Sequence, residues 1–135
     1  SIGLQGSPRP INACRKFTNL ENAGLSRMIE ACPEARPTLE MQVANAEVVK
    51  RENTGVGFFT TLKVKKDAPL MTQSKSDVAH AFAEVSGIEN GMGIILFQAN
   101  GLIDQIEFWT VTPARTDKLD PYDLEFEIKS VESAA

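Results

Sequence analysis

Residues 89–101 read Glu-Asn-Gly-Met-Gly-Ile-Ile-Leu-Phe-Gln-Ala-Asn-Gly, an apolar run held between two Asn-Gly steps. Asn-Gly is favoured where both central residues of a hairpin turn need positive φ, because that turn matches the twist of the flanking strands. The two steps predict an antiparallel meander with strands at residues 77–87, 92–98 and 102–112. With two-residue loops at both turns, Ala99 faces Leu102, Phe97 faces Asp104, Ile95 faces Ile106 and Gly93 faces Phe108. At the other turn Glu89 faces Met92 and Val85 faces Leu96. One sheet face then carries Val85, Met92, Ile94, Leu96, Gln105, Glu107 and Trp109. The other carries His80, Phe82, Glu84, Ile95, Phe97, Asp104, Ile106 and Phe108. The middle strand, Ile94-Ile95-Leu96-Phe97, does not alternate, so it is expected to be covered on both sides.

Working outward toward the amino terminus, residues 46–51 and 56–65 read as strands around a break at Asn53-Thr54-Gly55. In the second, Val56, Phe58, Thr60, Leu62 and Val64 share one face, with Lys63 and Lys65 on the other. Thr18 and Glu21 have the capping-box spacing, which starts a helix. Leu25, Met28, Ile29 and Cys32 form its apolar stripe, and Pro33 stops it. A second helix begins near Pro37, a residue suited to the first helical position, with Leu39 and Val43 facing inward. Residues 1–12 read as an irregular arm. The polar segment 66–77, with Pro69, reads as a mobile loop. Past the meander, Leu124, Phe126 and Ile128 alternate with Asp123, Glu125, Glu127 and Lys129 in a last strand.

These elements predict one α+β domain over residues 1–135, with two amino-terminal helices packed on a mostly antiparallel sheet of about six strands and a carboxy-terminal meander. The helices are short and lie at one end of the chain, so they cover one sheet face. The second face calls for a curled sheet closing over a cavity or for a partner chain. A homodimer or another protein partner is therefore expected, with a small apolar ligand as the alternative occupant.

Composition sets the bounds. The chain has 135 residues, 42% hydrophobic and 24% charged, with a net charge of −4. That is an ordinary globular balance. A mildly acidic chain lacks the basic footprint that a phosphate backbone requires, so nucleic acid is not an expected partner. No apolar run approaches the roughly 20 residues that span a bilayer, and the first ten residues lack the apolar stretch of a secretory signal. Cytoplasmic localisation is the expectation, with Cys14 and Cys32 as reduced, partly buried thiols.

Few residues carry chemistry. His80 is the only histidine, and with no second histidine or close cysteine pair no zinc ligand set forms. Glu107 lies between Ile106 and Phe108 and near Trp109, surroundings in which a carboxylate is costly to desolvate and useful for acid–base work. Trp109 and Tyr122 are each the only residue of their type and suit half-buried recognition positions. Phe59 joins them as a lining residue. Gly55-Val56-Gly57 and Gly91-Met92-Gly93 lack the third glycine and the helix of a dinucleotide fingerprint. The spacing of Asp117, Asp120 and Asp123 does not match a calcium loop. No metal and no cofactor is expected. The candidate binding residues are thus Phe59, His80, Glu107, Trp109 and Tyr122, in a binding or interaction protein rather than an enzyme. The alternative is a ligand-binding or enzymatic pocket in a curled sheet, using Glu107 or His80.

Two stretches, Thr54-Gly55-Val56-Gly57-Phe58-Phe59-Thr60 and Gly87-Ile88-Glu89-Asn90-Gly91-Met92-Gly93 running on to Glu107, carry a resemblance. The chain resembles, over roughly residues 39–110, a family of small uncharacterised bacterial proteins in which a TGVGFF strand precedes a GLENG-G hairpin. The sequence after Trp109 departs from the ending associated with that family. The resemblance implies an accessory gene of the mobile-cassette kind and an immunity-like interaction role, with no activity attached.

Overall fold

The structure is a computed structural model that describes residues 17–65, 67–112 and 114–134; the expected irregular arm and Cys14 lie outside the described residues. Two helices, α1 (Asn19–Glu30) and α2 (Arg36–Ala44), precede six strands: β1 (Ala46–Asn53), β2 (Gly57–Val64), β3 (Asp77–Val85), β4 (Ile88–Ala99), β5 (Leu102–Thr110) and β6 (Phe126–Ser133). The α+β expectation holds. The strands form one antiparallel sheet in the order β1-β2-β5-β4-β3-β6. Strands β1 and β6 are its two edges, so the sheet is not closed into a barrel.

Helix α1 starts where the capping box predicts. The Thr18 hydroxyl accepts from the Glu21 amide at 3.1 Å, and the Glu21 carboxylate accepts from the Thr18 amide at 2.8 Å. Leu25, Met28 and Ile29 are buried against the sheet. In α2 Leu39 is buried, while Val43 is only partly so.

The two Asn-Gly steps do different jobs. Asn100 and Gly101 take φ of 56° and 87° and turn the β4–β5 hairpin, with Ala99 opposite Leu102 as expected. Asn90 and Gly91 also take positive φ, 66° and 73°, but within β4. The β3–β4 turn lies earlier, at Ser86 and Gly87, which places Val85 opposite Ile88 and Ala83 opposite Met92 instead of the expected pairs. The positive-φ signal was real, and a bulge met its demand as well as a hairpin does.

A second bulge corrects the register of β5. Gln98 pairs with Ile103 and Phe97 with Gln105, which leaves Asp104 as the extra residue. Beyond it every side chain of β5 exchanges faces relative to the expectation. Ile106, Phe108 and Thr110 join Met92, Ile94 and Leu96, while Gln105, Glu107 and Trp109 join Ile95 and Phe97. Both results are physically consistent: Ile106 and Leu96 have no exposed surface, and each such burial contributes about 1.5–3 kcal/mol.

The helices pack on that first face, and Ile94 lies in van der Waals reach of Gly24 on α1. Residues 67–77 are anchored rather than loose. Gln98 donates to the Lys75 carbonyl at 2.6 Å, Met71 donates to the Gly101 carbonyl at 2.9 Å, and Ala68 and Met71 are buried. Residues 114–125 lie at the other end of the same face, where Ala114, Leu119 and Leu124 pack against the core. Thr116, fully buried, accepts from the Gly57 amide and donates to Asn53, clamping the β1–β2 turn.

Candidate functional site

The opposite face of the sheet is covered by neither helix. Its side chains stand in transverse rows set by the register. One row runs Glu52, Phe59, Glu107, Ile95, His80 and Glu132 across all six strands. The next runs Gly57, Trp109, Gly93, Phe82 and Ser130. On the other side of the first lies Lys50, Thr61, Gln105, Phe97 and Asp77. Phe59, Phe82, Ile95, Phe97 and Trp109 are all half-buried here, and neither described helix lies over them.

Glycines shape this surface. The Trp109 indole lies against Gly93, so close that a Cβ at Gly93 would overlap the ring. The Phe82 ring lies against Gly91 in the same way, 2.6 Å from where a Cβ would stand. Gly91-Met92-Gly93 is therefore a bed for two aromatic rings reaching in from β3 and β5. Rings seated on backbone lie low, which makes the centre of the face broad and shallow. Toward β6 it dips into a hollow of about 270 Å³ lined by His80, Phe82, Ser130 and Glu132.

Of the five residues read from the sequence, four meet on this face: Phe59, His80, Glu107 and Trp109. Phe59 is the direct cross-strand neighbour of Glu107. His80 is in the same row but two strands from Glu107, about 10 Å between backbones at ordinary strand spacing. That exceeds the hydrogen-bond reach an acid–base pair needs. His80 instead contacts Asp77, Nε2 to Oδ2 at 3.3 Å. The Asp77 carboxyl sits below the usual range, chiefly because its own backbone amide donates to it, with a smaller contribution from His80. The Glu107 carboxylate makes no hydrogen bond or ion pair with any described residue.

Tyr122 belongs elsewhere. It lies on the helix side, half-exposed, where its hydroxyl accepts from Arg51 Nη1 at 2.6 Å and its ring lies 5.0 Å from the guanidinium. Arg51 also forms a two-pronged pair with Glu21, Nε to Oε2 at 2.9 Å and Nη2 to Oε1 at 2.7 Å. Thr60 donates to the same carboxylate at 2.6 Å. Glu21, read from the sequence only as a helix cap, is the buried hub of this network at 2% exposure. Every prong of it is satisfied within the chain, which marks it as a structural clip.

Sequence reasoning missed Phe82, Phe97 and Gln105 as members of the site. The expected register already set Phe82 and Phe97 on the face of His80, but Gln105, Glu107 and Trp109 join them only through the bulge at Asp104. Elsewhere, an open cleft of about 610 Å³ lies where α1 and α2 meet segment 70–73, with the buried thiol of Cys32 in its wall. No cluster of three or more His, Cys, Asp or Glu side chains suited to a metal ion occurs among the described residues, and no described helix is long and apolar enough to cross a membrane. In comparison with known proteins, the chain matches no family model and has no significant match among curated proteins or solved structures.

Proposed function

We propose that this protein is a non-catalytic interaction module that binds another polypeptide through the bare face of its sheet. The observation that carries the reading is the set of five half-buried apolar side chains on a face that neither helix covers. A contiguous apolar patch rimmed by polar residues, here Lys50, Glu52, Asp77 and Glu132, is characteristic of protein contact sites. Aromatic anchors of the Trp109 and Phe59 kind dominate binding energy at such sites. The breadth of the face favours a protein over a small molecule, because small-molecule sites are concave and bury most of the ligand. The separation of His80 from Glu107 weighs against shared acid–base work. An immunity-like role, in which the bound protein is one the chain restrains, is the form that the sequence resemblance suggests.

The test is site-specific photo-crosslinking in the cells that express the chain. A photoreactive phenylalanine analogue is placed at Phe59, at Phe82, or at the control position Met41, which is exposed on α2. The reading expects discrete protein adducts from the first two positions and none from the third, and their loss on Trp109→Lys. Equal labelling at all three positions, or adducts to small molecules alone, overturns it.

A further inference from the structure

Resting on that reading, we propose that the bare face closes on a second copy of the chain, about a two-fold axis parallel to strands β4 and β5. Three properties of the face point to a self-complementary partner.

The first is charge. Glu107 stands in the middle of the apolar face with no partner among the described residues, and covering it with apolar surface alone would leave an uncompensated carboxylate. The midline of the sheet runs between β5 and β4. A two-fold along that line keeps each row at its own level and reverses it, so that β5 faces β4 of the second copy and β2 faces β3. Glu107 then lies over Ile95 of the second copy, one strand from its His80, whose ring can donate to it, while Glu52 lies over Glu132 of the second copy at the exposed rim, where two carboxylates repel only weakly. The symmetry makes the pairing reciprocal, as an isologous contact requires.

The second is shape. In the same row, reversal sets Phe59 of one copy over His80 of the other. The hollow beside His80 has a volume of about 270 Å³, enough for a phenylalanine ring. Each copy thus offers one half-buried ring and one hollow at mirrored strand positions.

The third is size and the state of the edges. Six strands at about 4.8 Å spacing and about eight residues at 3.4 Å each give a face of roughly 700 Å². A stable interface takes about 800 Å² from each partner. Pairing through the edges is disfavoured, because bulges at Val49 in β1 and at Lys129 in β6 break both outer ladders.

The experiment combines light scattering with cross-linking of the full chain. Thr61 and Asp77 share a row, on β2 and β3, and lie about 14 Å apart within one chain at ordinary strand spacing. Reversal brings Thr61 of one copy over Asp77 of the other. Thr61→Cys and Asp77→Cys are made in separate chains, each with Cys14→Ser and Cys32→Ala, mixed, and treated with a short bismaleimide. The expected results are a scattering mass of twice the 14.7 kDa chain, conversion to monomer on Trp109→Lys, and a cross-link joining the two different variants. A monomer at all concentrations overturns the second copy as occupant, while photo-adducts to some other protein would still leave the interaction reading standing. A dimer in which Thr61→Cys links only to itself overturns the axis, and one that persists in Trp109→Lys overturns the face.

Discussion

The indole of Trp109 lies on the backbone of Gly93, its cross-strand neighbour, in the middle of a six-stranded sheet. Gly93 is not one of the glycines with positive φ, so the demand for glycine is steric. Any side chain there must lift the ring. Gly93→Ala is expected to cost about 1–3 kcal/mol, the range for forcing extra volume into a packed site, with a red shift of Trp109 fluorescence. Repeating Gly93→Ala in a Trp109→Ala background should remove most of that cost, a coupling of about 0.5–3 kcal/mol in urea unfolding. Additive effects would show that the ring and the glycine do not meet as described.

That pairing also shows what was legible in the sequence. The capping box at Thr18 and Glu21, the turn at Asn100 and Gly101, and the alternation of Phe58, Thr60 and Leu62 all depend on neighbours close in the chain, and all appear as read. The Asp104 bulge does not, because one extra residue leaves no local pattern while exchanging the faces of all that follows. The expected register therefore set Glu107 and Trp109 opposite the face they occupy and apart from His80. The burial of Glu21 was illegible for a related reason: its partners Arg51 and Thr60 come from strands far along the chain, and a helix cap is usually solvated.

The Glu21–Arg51 pair is a buried charge pair whose loss can be weighed. Glu21 accepts from Arg51 twice, from the Thr18 amide and from the Thr60 hydroxyl. Arg51→Met leaves the carboxylate buried without its cation and should cost about 3–5 kcal/mol in urea unfolding. Tyr122→Phe removes the hydroxyl that accepts from Arg51 on the exposed side and should cost about 1 kcal/mol or less. Replacing Glu21 by Leu alongside Arg51→Met should restore little, since the Thr18 amide and the Thr60 hydroxyl then lose their acceptor. Full recovery in the double variant would mean that the pair acts alone.

Gln42, fully buried on α2, ties three segments together. Its amide donates to the Pro69 and Gly101 carbonyls, both at 2.7 Å, and its oxygen accepts from the Ile103 amide at 2.9 Å. Gln42→Leu keeps the volume and leaves these groups unmatched, at about 1–3 kcal/mol for each that finds no water. Faster hydrogen exchange at Ile103 and Met71, with the Ala81 amide in β3 unchanged, is the expected local signature. Uniform acceleration across the sheet would show that Gln42 supports the fold as a whole instead of this junction.

Asp104, the bulged residue of β5, has its carboxyl pushed up by burial, against a smaller opposing pull from its own backbone amide. An acid whose folded pKa is raised is less willing to ionise in the folded state than in the unfolded chain. It therefore costs stability wherever it is ionised, and the cost disappears as pH falls below its unfolded value, near 3.9. Asp104→Asn should stabilise the protein at pH 7 by about 0.5 kcal/mol or less, the scale of partly exposed substitutions. The gain should shrink through the acid range and vanish by about pH 3. Asp77 runs the other way: its lowered carboxyl adds stability above the unfolded value, and that stability is lost on acidification. Urea titrations of Asp104→Asn and Asp77→Asn at pH 7 and pH 3 separate the two, with opposite signs expected at pH 7, the Asp104→Asn gain gone at pH 3 and the Asp77→Asn loss smaller there than at pH 7. A gain for Asp104→Asn that persists at pH 3 would trace to bulge geometry rather than to charge.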